Sequence, residues 1–296
     1  MSWIDLHMHS AFSNDGDFTP EELVGKCQEV GIRLMAVADH NSCKAVQSEM
    51  AEAKKRGISC ISAIELDCCH ENVDLHVLGY GIDASDSRFA ELEENLADEE
   101  RASSAPRLQM MKERGLVIDE KKAYDLAHYG YVTGEVIAEV ALADPRNDSH
   151  PMLKEYRPGG SRSDNPYVNF YWDWCAKGKE MYIPIHFISL REAISLIRSS
   201  GGTPVLAHPG NNVKEKDELL DEILKCGIEG IEVYSTYHSP EQIKYYRKKA
   251  DDYHLAITCG SDFHGKTKPS IRLGAMDCGG EEDRIAEGLR GLGIKF

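Results

Sequence analysis

Two histidines one residue apart, His7 and His9, stand in the stretch IDLHMHSAFSNDG at residues 4–16, and Asp15 follows close behind. An imidazole offers a nitrogen lone pair and a carboxylate offers oxygens, so this trio suits a divalent cation of borderline softness. In an extended segment, residues i and i+2 point to the same side, which aims both imidazoles one way. The same residue types recur along the chain. Asp39-His40, Glu65, His76, His208, Glu232 and the pair Asp262/His264 each fall at or near the end of a β-rich run.

Taken singly, a histidine or carboxylate at a strand end is an ordinary hydrogen-bonded rim residue. The coincidence of seven such ends is harder to explain by packing, because buried ionisable groups cost several kcal/mol unless paired or metal-bound. A closed structural zinc takes four ligands, often thiolates. Here His and carboxylate dominate, and the candidates suffice for two or three divalent ions with open positions. That arrangement suits hydrolysis, in which metal ions activate water and neutralise the oxyanions of a substrate.

The elements that must position these residues follow a regular rhythm. WIDLHMH reads as a strand, and TPEELVGKCQEVG then opens with Thr19 as N-cap, Pro20 at the first helical position and Glu22 closing a capping box. Strand RLMAVADH, helix SCKAVQSEMAEAKKRG and strands ISCISAIEL and DLHVLGYGI come next. After residue 189 the pattern resumes with SLREAISLIRSSGG, TPVLAHP, KDELLDEILKCG, IEGIEVYS, SPEQIKYYRKKADDYH, LAITCGSDFH and EDRIAEGLRGLG. Alternation of this kind predicts a parallel, barrel-like α/β fold, whose strand C-terminal ends converge on one face. Ligands scattered through the chain would meet there.

Residues 84–188 break the rhythm. SRFAELEENLADEERASSAPRLQMMKERG predicts a long polar helix kinked near Pro106, and two shorter helical pieces follow. The stretch ADPRNDSHPMLKEYRPGGSRSDNP then reads as a mobile loop. Residues 1–83 and 189–296 would form the barrel, and 84–188 a helical insertion over its mouth.

With 296 residues, 42% of them hydrophobic, the chain can bury a sizeable core as one barrel. A formal charge of −16 opposes binding to duplex nucleic acid or an anionic membrane. It also means that an anionic substrate would need local positive charge, which metal ions could supply. Nine cysteines without a CxxC pair read as reduced thiols, and MSWIDLHMHS lacks the features of a signal peptide. No apolar run reaches the ~20 residues of a membrane span. A cytoplasmic protein is expected.

The segments DLHMHSAFSNDG, AVADH, IELD, LHVLGYG, LAHPG and GSDFHG resemble, in order and spacing, the motifs of the polymerase and histidinol phosphatase (PHP) family. More narrowly, they resemble its stand-alone small-molecule phosphoesterases, over residues 3–83 and 189–274. The resemblance implies a distorted seven-stranded (βα) TIM-like barrel and a trinuclear centre of Mn, Fe or Zn. By that resemblance the first metal takes His7, His9, Glu65 and Asp262. Glu65 bridges to a second metal held by His76 and His208, and a third takes Asp15, His40 and His264. A hydroxide bridging the first two metals beside Glu65 would attack phosphorus. Asp262 would accept its proton, and His238 would protonate the leaving group. Asp5 and Asp39 have no slot; they are expected either to orient neighbouring imidazoles or to be structural carboxylates.

Relatives acting on nucleoside 3′,5′-bisphosphates carry T-R-x-H in the insertion. The matching stretch here, YVTGEVIAEV, keeps Thr133 but has Gly134 and Val136 at the Arg and His positions. Replacement cations are Arg146, Arg157, Arg162, Lys266 and Lys268, and His238 is a further candidate for substrate contact. The expected partner is a small phosphorylated metabolite, either a nucleoside bisphosphate or a ribose cyclic phosphate. Two alternatives remain open: a nuclease acting on oligonucleotide ends, and a non-catalytic metal-binding module.

Overall fold

The computed structural model describes residues 1–127 and 129–296. Its strands are β1 (Ile4–Met8), β2 (Leu34–Val37), β3 (Ser59–Cys60), β4 (Ala63–His70), β5 (Val73–Tyr80), β6 (Ile188–Ser189), β7 (Thr203–Leu206), β8 (Gly230–Ser235) and β9 (Ala256–Gly260). The helices are α1 (Pro20–Glu29), α2 (Val46–Arg56), α3 (Ser87–Glu113), α4 (Glu120–Leu126), α5 (Gly134–Ala143), α6 (Pro166–Phe170), α7 (Leu190–Ser199), α8 (Pro209–Asn212), α9 (Asp217–Lys225), α10 (Pro240–Asp252) and α11 (Glu282–Gly291). Capping boxes at Thr19/Glu22, Ser189/Glu192 and Ser239/Gln242 start α1, α7 and α10, so side chains satisfy backbone N–H groups that each helix start leaves free.

The strands form two sheets, β1-β2-β3 and β6-β4-β5-β7-β8-β9. Two seams close them into a distorted barrel. At one, Met8 bridges Phe263, the His9 N–H donates to the Phe263 carbonyl (2.9 Å) and the Asp262 N–H to that of His7 (2.7 Å). At the other, His40 bridges Glu65, and the Asn41 N–H donates to the Glu65 carbonyl at 2.7 Å. Both seams run through candidate ligands, so closing the barrel also assembles the cup.

The barrel is not wholly parallel. β5 runs antiparallel to both β4 and β7. Only Glu71 and Asn72 join β4 to β5, far too few residues for the helical crossover that parallel neighbours need. Glu71 adopts φ 53°, the left-handed geometry of a tight turn. His76 therefore lies within β5, opposite Asp67 in register, rather than at a C-terminal strand end.

Along β1, Ile4, Leu6 and Met8 join apolar clusters while Asp5, His7 and His9 point to the opposite face, and all six are buried. The segment between β5 and β6 has its own core, which includes Leu108, Met111, Val132, Ile137, Leu153 and Phe170. Its long helix α3 is continuous through Pro106. The Pro/Gly-rich stretch expected to be a mobile loop instead folds into 3-10 turns at Pro145–Asn147 and Pro151–Tyr156. Buried Asn147 ties it down, accepting from the Val117 N–H and donating to the Val117 and Ala141 carbonyls. Among the described residues, no helix is long and apolar enough to cross a membrane.

Candidate metal centre

Four overlapping groups of donor atoms meet at the closed seams: His7, His9, Glu65 and Asp262; Glu65, His76 and His208; His9, Asp15, His40 and His264; and His40, Asp67 and His76. Within each group the donor atoms lie within 4.8 Å of one another. All nine residues singled out as ligands from sequence are thus brought together. Backbone geometry at the strand exits is unusual, with φ of 56° at Asp262 and 21° at His208, where non-glycine residues are rare. Such departures persist where surrounding structure enforces them, and they cluster at functional sites.

Donor atoms crowd one another as they do around a cation. His7 Nε2 and His9 Nε2 are 3.2 Å apart, and both are 3.2 Å from Glu65 Oε2. Asp262 Oδ1 lies 3.1 Å from His9 Nε2 and 3.4 Å from His7 Nε2. Despite this crowding, Glu65 Oε2 and His264 Nε2 are buried without a hydrogen-bond partner. A desolvated polar atom left unpaired costs about 1–3 kcal/mol, more if charged. Converging lone pairs of neutral imidazoles and carboxylates, with orphaned buried atoms among them, fit divalent metal ions.

The outward nitrogens are held as metal-ligating imidazoles usually are. His7 Nδ1 meets Glu232 Oε1 at 3.0 Å, His208 Nδ1 meets Asn212 Oδ1 at 2.9 Å, and His264 Nδ1 meets the Asp262 carbonyl at 2.8 Å. Ser13 Oγ lies 3.2 Å from His9 Nδ1 and donates to Asp15 Oδ1 at 3.0 Å.

Without cations the charges of the cup act on each other. Burial opposes charge on His7, but Glu65, Glu232 and Asp262 outweigh it and raise its pKa well above the usual imidazole value. Burial likewise opposes charge on His40, yet Asp67 and Glu65 bring it up to about 10. For His264 burial wins, and its pKa falls to about 4. Glu65 is held well below the carboxylate range, against burial, by His7, His40 and His76.

Of the two roles open to Asp5 and Asp39, the structural one is found. Asp5 accepts the backbone N–H groups of Ser261 and Gly274, and Asp39 accepts the N–H and hydroxyl of Ser10, so both hold the motif loops to the barrel. His238 does not face the cup as a free acid. Its Nδ1 donates to the Val233 carbonyl at 2.9 Å and its Nε2 accepts the Gly210 N–H at 3.0 Å, while burial lowers its pKa.

The candidate cations also sort themselves. Arg146 pairs with Asp144, Arg157 with Asp148 and the Leu142 carbonyl, and Arg162 forks onto Asp173. These partners, Asp144, Asp148 and Asp173, all lie between β5 and β6. Lys266, 3.1 Å from Glu139, lines a narrow cleft with Asp15. Lys268 goes further in, with Nζ 2.6 Å from Asp262 Oδ2 and its side chain only 12% exposed.

Two residues escaped assignment from sequence. Asp67 Oδ1 lies 3.0 Å from His40 Nδ1 and 3.4 Å from His76 Nε2, while its Oδ2 accepts from the Asn41 amide. Its position two residues beyond Glu65 in a strand was the available signal. Glu232, noted only as a strand-end carboxylate, fixes the His7 ring.

The chain is 29% identical to the 5′-3′ exoribonuclease Rnm of Escherichia coli over 278 residues, 91% of this chain and 87% of that one. It is 28% identical to a 3′,5′-nucleoside bisphosphate phosphatase of Chromobacterium violaceum over 289 residues, covering 96% and 93%. A phosphoribosyl 1,2-cyclic phosphate 1,2-diphosphodiesterase of Eggerthella lenta is 25% identical over 264 residues, covering 88% and 94%. Among solved structures, a protein of Bifidobacterium adolescentis assigned to the metal-dependent phosphoesterases superposes with a TM-score of 0.77 at 25% identity, over 99% of this chain and 97% of that one. The PHP domain model matches residues 5–159, a span that begins at Asp5 and takes in six of the nine sequence-assigned ligands, and the chain belongs to the PHP domain family.

Proposed function

We propose that the protein is a metal-dependent phosphoesterase that hydrolyses a small phosphorylated metabolite. The observation that carries this reading is the overlap of donor groups, in which His9, His40, Glu65 and His76 each belong to two. Shared ligands would hold cations close together, as in sites that hydrolyse phosphate esters with paired metal ions. His7, His9, Glu65 and Asp262 would hold one ion, Glu65, His76 and His208 a second, and Asp15, His40 and His264 a third. The mixed imidazole and carboxylate donors suit Mn, Fe or Zn. When bound, such ions supply Lewis acidity, lowering the pKa of water towards ~7 and offsetting phosphate charge.

The chain's own residues do the rest. Glu232, Asn212 and the Asp262 carbonyl hold the outward nitrogens of His7, His208 and His264, which would aim the inner nitrogens at the ions. Asp262 keeps its carboxyl well below the usual range, against burial, through Lys268, His264 and His7, so it is ionised and available as a ligand. Lys268 adds a nearly buried cation beside it, placed to meet a phosphate oxygen.

The test is phosphate release by metal-loaded protein from nucleoside 3′,5′-bisphosphates, ribose cyclic phosphates and sugar monophosphates, with the double variant His7→Ala/His9→Ala as control. Release that the control abolishes is expected. A metal-loaded protein that neither releases phosphate nor opens the cyclic ester would sink the reading. A second reading, hydrolysis from oligonucleotide 5′ ends, is favoured by the likeness to the E. coli exoribonuclease and opposed by the −16 charge. A 5′-phosphorylated RNA oligomer, followed by chain shortening and release of nucleoside 5′-monophosphates, separates the two.

A further inference from the structure

Between β8 and α10 the chain turns through Thr236, Tyr237, His238 and Ser239, and both ends of this turn are fixed. Ser239 caps α10, and the Thr236 hydroxyl donates to the carbonyl of Ser261, the residue before the ligand Asp262. His238 is spent on Val233 and Gly210, whereas its neighbour Tyr237 reaches the cup. There Tyr237 touches two ligands, His208 and Asp262, both of which leave their strands with positive φ. Its ring meets the His208 imidazole edge-on, with centroids 5.9 Å apart, and its hydroxyl donates to Asp262 Oδ2.

The two oxygens of Asp262 therefore differ. Oδ1 faces the donor group, 3.1 Å from His9 Nε2 and 3.4 Å from His7 Nε2. Oδ2 accepts from Tyr237 and also from Lys268 Nζ at 2.6 Å, and that nitrogen lies 5.6 Å from the centroid of the Tyr237 ring. A carboxylate can hold a divalent ion through one oxygen or through both. Binding through both would take up a position that catalytic sites leave open for water or substrate. Two donors on Oδ2 oppose that second bond. They are not equivalent, because Lys268 is also the cation placed to meet a phosphate oxygen. A phosphate that drew Lys268 away would leave the Tyr237 hydroxyl as the donor on Oδ2.

We propose that Tyr237 is a positioning residue that restricts Asp262 to a single-oxygen contact with the ion of His7, His9 and Glu65. The site thereby keeps a position open for water or a phosphate oxygen. This rests on the phosphoesterase reading.

The test compares the parent with Tyr237→Phe, which keeps the ring against His208 and removes only the hydroxyl. A double variant, Tyr237→Phe/Lys268→Met, clears both donors from Oδ2, and circular dichroism checks the folding of each. Mn²⁺ affinity by chelator competition and water-proton relaxation per bound Mn²⁺ are measured, with kcat and KM for a phosphate ester that the parent hydrolyses. Tyr237→Phe should bind Mn²⁺ at least as tightly as the parent, yet show lower relaxation per bound ion, because fewer waters reach it. Its kcat should fall about tenfold or more, the loss expected for one hydrogen bond to a charged group, with KM within about twofold. The double variant should lower the relaxation further. Relaxation per bound ion that stays at the parent's value in both variants overturns the inference, whether or not affinity is lost. The phosphoesterase reading then stands on the parent's own turnover. Lower relaxation in the variants of a parent that hydrolyses no ester upholds the role of Tyr237 and removes the phosphoesterase reading. A parent that binds no Mn²⁺ removes both.

Discussion

Glu232 holds two ligands at once: Oε1 lies 3.0 Å from His7 Nδ1, and Oε2 accepts the His208 N–H at 2.7 Å. The approach depends on Gly260, where a Cβ would fall 2.1 Å from His7 Cβ and 2.4 Å from Glu232 Oε1. Removing such a carboxylate typically costs 10–100-fold in metal affinity. Glu232→Ala should therefore bind Mn²⁺ or Zn²⁺ about 10–100-fold more weakly in a chelator competition, while its circular dichroism stays that of the parent. Unchanged affinity would mean that packing alone orients the His7 ring.

Lys268 is the cation best placed to meet a phosphate, being nearly buried against Asp262. A hydrogen bond to a charged group contributes about 1.5–3 kcal/mol, or roughly 10–150-fold in rate. Lys268→Met should lower kcat/KM for a hydrolysed phosphate ester by a factor in that range, with the bound metal content unchanged by elemental analysis. Lost metal with an unaffected rate per bound ion would assign Lys268 to the ligand set rather than to the substrate.

The ligands were legible in the sequence because they depend on short-range rules. Alternation in a strand aims His7 and His9 together, and strand ends in a βα barrel converge whatever their distance in the chain. Directions set by pairing across the barrel were not legible. A two-residue link makes β5 antiparallel, yet IELD and LHVLGYG look alike in either orientation, so the pairing of Asp67 with His76 was hidden. Glu232 and His7 are 225 residues apart, and nothing local distinguishes a carboxylate that orients a ring from one that binds metal. The arginines misled for a related reason: their partners Asp144, Asp148 and Asp173 are equally ordinary surface residues until the insertion folds. His238 looked catalytic because it follows a strand end, but Gly210 and Val233 absorb both of its nitrogens.

That absorption gives His238 a structural role with a measurable signature. His238→Ala leaves the Val233 carbonyl and the Gly210 N–H without their partner, at a cost of about 1–3 kcal/mol for each buried group. Thermal unfolding should shift down accordingly. The shape of the pH–rate profile should stay that of the parent, because no proton of the reaction resides on this ring. Loss of the alkaline limb in the variant would restore His238 as proton donor.

Glu49, on α2, is fully buried, and neither of its carboxyl oxygens has a hydrogen-bond partner. Burial, reinforced by Asp39, raises its pKa well above the usual 4.5. The folded protein then holds a proton that the unfolded chain releases above about pH 4.5. Stability from this group is full below that pH and declines as the pH rises towards the folded-state value, by up to ~1.4 kcal/mol per pH unit. Glu49→Met keeps the length of the side chain and removes the titration. The substitution also removes an unpaired buried polar group, whose desolvation costs about 1–3 kcal/mol. The variant's advantage in urea midpoint should therefore widen from pH 5.5 to pH 8.5. A gap that stays constant across that range would show that Glu49 is ionised in the folded protein and charge-compensated.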